Sequence, residues 1–257
     1  MIRRVWGYRD LLVSLARRNY QLRYRQSFAG FFWAILPPVA SVAVATFVFD
    51  KVAKIDTGPV PYPLFAFAAL APWTFFTNSL TQATGTVVTA QSTMSRLAFP
   101  RAVLPLAMCA TVLTDLAIAC ATFAAYAYLS GAGLPLTALL FPVLLLVEVV
   151  LTVGLVLLVS ALNVFVRDVR LAVPFGVQAL LFVTPVMYPL SSVPESLVPW
   201  VRVNPMTGLV ESFRLVLIEG RVPNLQLLAP ALIGAAAAIV IGSWYFSATE
   251  QRFVDVV

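Results

Sequence analysis

Six stretches, roughly residues 28–49, 62–89, 102–129, 135–162, 171–190 and 226–247, are each long and apolar enough to cross a bilayer. A hydrocarbon core about 30 Å thick takes about 20 residues of helix. The runs are continuous rather than alternating, which favours helices over the strands of an outer-membrane barrel. Apolar residues make up 61% of the chain and charged ones only 11%, against about a quarter charged in a soluble domain. The expected fold class is therefore all-α: a polytopic membrane protein with six transmembrane helices. No internal repeat or low-complexity tract divides the chain, so a single membrane domain is expected over residues 1–257, with a six-helix core at 28–247 and a short tail at 248–257. About 25 residues bearing seven arginines precede the first apolar run. A cleavable signal has a shorter charged start and a shorter apolar stretch, so the first window reads as a retained span.

Charge sets the orientation. With the N-terminus inside, the inner segments carry Arg3, Arg4, Arg9, Arg17, Arg18, Arg23, Arg25, Arg96, Arg101, Arg167, Arg170 and Arg252, twelve of the 17 basic residues. The outer segments hold Lys51, Lys54, Arg202, Arg214 and Arg221, balanced by five acids. The positive-inside bias places both termini in the cytoplasm. Between the fifth and sixth windows, NPMTGLVESFRLVLIEG predicts a short helix with Asn204 as N-cap, Pro205 at its first position and Gly220 past its end. Leu209, Val210, Phe213, Val216 and Leu217 recur at helical spacing, with Glu211, Arg214 and Glu219 on other faces. Such a helix can rest on headgroups or act as a lid over an exit.

The missing chemistry is informative. There is no histidine, which excludes histidine-ligated metal and histidine acid–base catalysis. The only lysines, Lys51 and Lys54, follow no G-x-x-x-x-G-K pattern, so a phosphate-cradling loop is absent, as are G-x-S-x-G, H-E-x-x-H and C-x-x-C. If ATP drives this protein, another chain must bind it. Cys109 and Cys120 lie about 16 Å apart on a helix, too far to bridge. Two acids fall inside spans, Asp115 and Glu148; each is either an ion relay or a group satisfied at a helix contact. The stretch TNSLTQATGTVVTAQ suits close helix packing and equally suits the wall of a wet path. Aromatics crowd the first two spans: Phe28, Phe31, Phe32 and Trp33, then Trp73, Phe75 and Phe76. Phe28, Phe31 and Phe32 share one helical face. Interfacial belts account for such rings, and so does a surface offered to the C–H faces of sugars.

Five ordered motifs carry a resemblance: RYRQSFAGFFWAILPP, LAFPRAVLPL, LNVFVRDVR, TPVMYPLSSVP and NPMTGLVESFR. Together they resemble the permease subunit of type-2 ABC exporters of bacterial surface polysaccharide, O-antigen exporters above all, with teichoic-acid exporters near. The resemblance implies a multi-pass subunit of the cytoplasmic (inner) membrane, working as a homodimer with two copies of a separate ABC ATPase. The cargo would be an undecaprenyl-pyrophosphate-linked polysaccharide. ATP and Mg would sit on the ATPase, this chain holding no cofactor, no metal and no catalytic residue, and no nucleic acid is expected as a partner. Residues 1–27 would form an amphipathic interface helix whose Arg17, Arg18, Arg23 and Arg25 face headgroups, the ATPase or the lipid pyrophosphate. The loop with Arg96, Leu97, Phe99, Pro100 and Arg101 matches the ATPase-coupling helix. Phe28, Phe31, Phe32, Trp33, Trp73, Phe75 and Phe76 become candidates for the glycan channel. Asn204, Pro205, Phe213 and Arg214 fall in an outer gate helix. A drug or lipid exporter of the same superfamily and a proton-coupled carrier using Asp115 remain the alternatives.

Overall fold

The computed structural model describes residues 2–24, 32–90 and 99–253, and its described residues contain helices and no strand. The helices are α1 (Ile2–Trp6), α2 (Arg9–Tyr24), α3 (Phe32–Ala45), α4 (Tyr62–Thr84), α5 (Thr86–Thr89), α6 (Val103–Leu129), α7 (Phe141–Phe165), α8 (Val169–Val183), α9 (Val198–Val203), α10 (Pro205–Arg214) and α11 (Leu225–Thr249). Each of the six apolar windows contains helix, though the fifth is helical only to Val183. Among the described residues four helical stretches are long and apolar enough to cross a membrane: Ala34–Val52, Val103–Leu129, Leu136–Phe165 and Leu225–Arg252. The second and fifth windows differ for separate reasons. Helix α4 has the length but a polar second half, while α8 is apolar but only 15 residues long.

Helix α4 is the centre of the bundle. Every residue from Leu64 to Phe76 except Thr74 is buried, because α3, α6, α7, α8 and α10 all pack against it. Its polar half fits this position because the threonine hydroxyls turn back on their own helix. Thr77 donates to the carbonyl of Trp73 at 3.1 Å and Thr81 to that of Thr77 at 2.8 Å. A hydroxyl bonded in this way leaves no unmet donor in an apolar interior. The buried side of this half packs, with Ser160 of α7 donating to the carbonyl of Ala83 at 3.1 Å. The other side, at Asn78 and Gln82, lines a cavity.

The broadest helix contact joins α7 to α11. A Cβ added at Gly154 would lie 2.3 Å from the backbone of Ala238, and one at Gly242 would lie 2.0 Å from the carbonyl oxygen of Gly154. The two backbones touch because both positions lack a side chain, the small-residue mode of helix packing in lipid. Helix α8 is the opposite case, with no buried residue and with Leu171, Phe175, Phe182 and Val183 exposed.

Two apolar cores result. The larger centres on α4 and takes in α6, α7, α10 and α11. A smaller one, built on Val87, Ala102, Leu157, Ala161, Val164, Phe246 and Phe253, closes the end of the bundle that also carries the exposed arginines; it is called the basic end below. Cys109 and Cys120 are unbridged, as their spacing requires.

Candidate functional site

Helix α2 leans on α6 through a stripe of half-buried positions, Leu11, Leu12, Leu15, Ala16, Asn19 and Tyr20. The period of that stripe is helical, so Arg17 and Arg18 fall on the exposed face. The hydroxyl of Thr111 reaches the carbonyl of Ala16 at 3.3 Å. One turn further into α6 lies Asp115, and Arg23 makes an ion pair with it while also donating to the amide oxygen of Gln82 on α4. The sequence places Asp115 inside a span and Arg23 on a surface helix, which hides the pair. Asp115 is therefore an ionic anchor for α2, and the surface role expected of Arg23 gives way to an inward one.

The Arg23 side chain stands at the edge of a cavity of ≈ 530 Å³ between α3, α4 and α6. Ser41, Thr74, Asn78, Gln82 and Asp115 supply polar walls, and Pro37, Pro38, Phe75 and Leu116 supply apolar ones. Among the described lining residues the charged pair is Arg23 and Asp115, one of each sign. The cavity can bind a group with both apolar and hydrogen-bonding surface, but it holds no nucleophile beside a base. Among the described residues no cluster of three His, Cys, Asp or Glu could hold a metal ion. Glu148 does not reach this cavity. It is fully buried on α7, and neither of its carboxylate oxygens has a hydrogen-bond partner among the described residues. Of the two acids, Asp115 alone is among the described residues that line this cavity.

The short helix expected after Asn204 forms, but it does not rest on a surface. Asn204 caps α10, accepting from the Met206 amide at 3.0 Å and donating to the Thr184 hydroxyl at 2.8 Å, and Pro205 opens the helix. The helix ends in a π-helical turn, Leu215–Glu219, closed by left-handed Gly220 at φ 68°. Leu209, Val210, Phe213 and Val216 are all at 0% exposure, and Phe213 packs on Phe141 at 5.4 Å between centroids. Arg214, expected on a polar face, is also buried. Its guanidinium donates to the carbonyls of Pro185 (2.7 Å) and Val186, and pairs with Glu211 at 2.9 Å. It also lies 3.6 Å above the Phe65 ring. Burial lowers Arg214 to about 10, so it stays charged at neutral pH, while burial raises Glu211 against the pull of Arg214. This arginine ties α10 to α4 and to the irregular chain after α8. The headgroup-resting reading is set aside by these contacts.

The aromatic candidates divide. Phe32 is 55% exposed; Phe28, Phe31, Arg25, Arg96 and Leu97 lie outside the described residues, as does the side chain of Trp33. Trp73, Phe75 and Phe76 are buried inside the bundle, with Trp73 and Phe76 in ring contact at 5.7 Å. Buried rings present no face between two protomers, so the expected second cluster is core, with only Phe75 at the cavity wall. Sequence reasoning passed over α8, whose exposed Phe175, Gln178 and Phe182 make a mixed aromatic and amide surface. The signal was an amide at mid-length in VPFGVQALLFV, where bare lipid contact is unfavourable. Of the coupling segment, Phe99, Pro100 and Arg101 are half-buried at the basic end. Among the described residues no ion pair joins Arg167 to Asp168.

Residues 10–218 match the ABC-2 type transporter family. The chain is 28% identical over 261 residues to the "O-antigen export system permease protein RfbA" of Myxococcus xanthus, covering 99% of this chain and 98% of the relative. A protein of the same name from Klebsiella pneumoniae is 26% identical, covering 96% of this chain and 95% of its own length. The "Polysialic acid transport protein KpsM" of Escherichia coli is 22% identical over 80% of this chain and 81% of its own.

Proposed function

The chain belongs to the ABC-2 type transporter family, and from that premise we propose that it is the membrane-spanning subunit of an ATP-driven exporter of O-antigen-like polysaccharide. The match to permeases named for O-antigen export, along nearly the full length of each, carries this reading. The absence of any phosphate-cradling loop agrees with it, since ATP and Mg then belong to a separate ATPase subunit. The proposed topology keeps six spans. Helix α4 counts as one because it has the length and the threonine hydroxyls of its polar half bond back to their own helix, and α8 as another because the buried turn Thr184–Val186 extends the segment. The charge bias supports N- and C-termini in the cytoplasm of an inner-membrane protein. The whole of residues 1–257 then forms one membrane domain.

The cargo is read as a lipid-linked glycan moved between two copies of the chain. A long polymer must slide, and aromatic faces contact sugar C–H surfaces in many registers without holding one. The exposed Phe175, Gln178 and Phe182 of α8, with Phe32 of α3, supply such a surface for a homodimer to enclose. The carrier alternative loses its main support once Asp115 is paired with Arg23. Deleting the gene in its host tests the function. Loss of surface glycan with build-up of its lipid-linked form inside is expected; unchanged surface glycan would refute the reading.

A further inference from the structure

Directly after α11, Glu250 and Phe253 are built into the basic end. The Glu250 carboxylate accepts from the backbone amide of Arg101 at 2.7 Å, and the Glu250 carbonyl accepts from the Arg101 guanidinium. Arg101 is thus the donor twice over, and the two bonds join residues 149 apart in sequence. The guanidinium also lies 5.8 Å from the centre of the Phe253 ring. Phe253 is 1% exposed, set edge-on to Phe246 at 5.3 Å and tilted against Phe165 at 5.9 Å. Around it stand Val87 of α5, Ala102, and Leu157, Ala161 and Val164 of α7.

An aromatic ring buried this fully does not belong to a loose tail. A helix-ending 3-10 turn, Glu250–Arg252, delivers Phe253 into the apolar centre of the basic end. The amide of Arg101 lies just before α6, where a helix leaves its first donors without partners inside the helix. Glu250 satisfies it with a charge-assisted bond, stronger than a neutral one.

We infer that Glu250 and Phe253 are positioning residues for ATP coupling: a C-terminal strut that fixes the segment entering α6 to α11 and α7. The inference rests on the reading that the loop ending at Arg101 contacts the ATPase. A displacement imposed there reaches α6 directly along the chain. It reaches α7 and α11 through the strut, because Arg101 touches both Glu250 and Phe253, and Phe253 touches both Phe165 and Phe246. Without the strut the loop still presents itself to the partner, but α6 moves without the other two helices.

The test uses the full complex of this chain with its ATPase, reconstituted in vesicles. Four measurements are made on Glu250→Ala, Phe253→Ala and the volume-keeping Phe253→Leu: complex yield, ATP hydrolysis, export and export per ATP. Complex yield and hydrolysis within about twofold of the unaltered protein are expected, with export per ATP down at least about fivefold for Glu250→Ala and Phe253→Ala. Phe253→Leu, which keeps the packing but loses the ring beneath Arg101, should fall between. Unchanged export per ATP in an assembled complex would overturn the inference. So would loss of the complex while the permease itself remains folded, because the tail would then be a docking element. If Phe253→Ala fails to fold, Phe253→Leu and Glu250→Ala decide on the same criteria. Phe99→Ala tests the underlying reading separately: unchanged assembly and export in that variant would mean that the loop is not the ATPase contact, whatever the strut variants do.

Discussion

Arg214 and Arg23 show two ways of placing a guanidinium in an apolar protein. Arg214 is 2% exposed, and its donors are spent on three backbone carbonyls, those of Phe65, Pro185 and Val186, and on Glu211. Arg214→Ala orphans those carbonyls and leaves Glu211 buried without its cation, so a loss of about 3–5 kcal/mol is expected. Lysine should rescue little, because an ammonium cannot reach carbonyls and carboxylate in one plane. Thermal unfolding in detergent measures both. Glu211→Gln should cost far less, since burial already opposes its charge. The pH dependence follows from the same direction. A carboxyl raised by folding binds its proton more tightly in the folded state, so acidification through its folded value favours that state. Mild acid should therefore not loosen α10 through Glu211.

Arg23 is less buried, and its pair with Asp115 joins α2 to α6. Asp115→Asn and Arg23→Gln should each free α2 to protease while leaving the bundle folded. The loss in the double variant should be less than the sum of the single losses, because both changes remove the same ion pair, Arg23→Gln also removing the bond to Gln82. An additive loss in the double variant would mean that the residues act separately.

Among the elements, the α7–α11 crossing is the most constrained. Gly242→Ala would put a methyl group 2.0 Å from the carbonyl oxygen of Gly154, and backbone cannot swing aside as a side chain can. A destabilisation of about 3 kcal/mol or more is expected, with Gly154→Ala similar. Gly176→Ala on α8, where nothing lies within 4 Å, should be silent. The elements themselves were legible because length and apolarity decide them: each predicted window contains helix among the described residues, and Asn204, Pro205 and Gly220 bound α10 and its closing turn as their chemistry requires. What sequence could not give is which side of a uniformly apolar helix meets protein and which meets lipid. Periodicity reports that only where polar residues mark a face. Trp73 and Phe76 were therefore assigned to a surface when they are core, and Phe175 and Phe182 were overlooked when they are exposed. Arg214 misled for the opposite reason: a charge reads as exposed until the carbonyls that receive it are known.

At the scale of the whole molecule, the two apolar cores divide the labour. The α4-centred core holds the cavity wall and the buried outer element together, while the smaller core binds the segment before α6 to the ends of α7 and α11. A displacement at the basic end can thus pass into three helices at once. The exposed surface of α8 is left for another chain or for cargo. Phe175→Ala with Phe182→Ala should slow export several-fold while ATP hydrolysis by the assembled complex stays largely intact. Unaltered export would return these rings to plain lipid contact. The central claim is that this chain carries cargo but not the energy source, and reconstitution measures that directly. Vesicles holding the purified chain, with or without its ATPase, are loaded with lipid-linked glycan, and glycan translocation is followed as ATP is added. Translocation only with both ATPase and ATP present, undiminished when a protonophore dissipates the proton gradient, is the predicted result. Translocation by the chain alone on a proton gradient, or nucleotide hydrolysis by the purified chain, would contradict it.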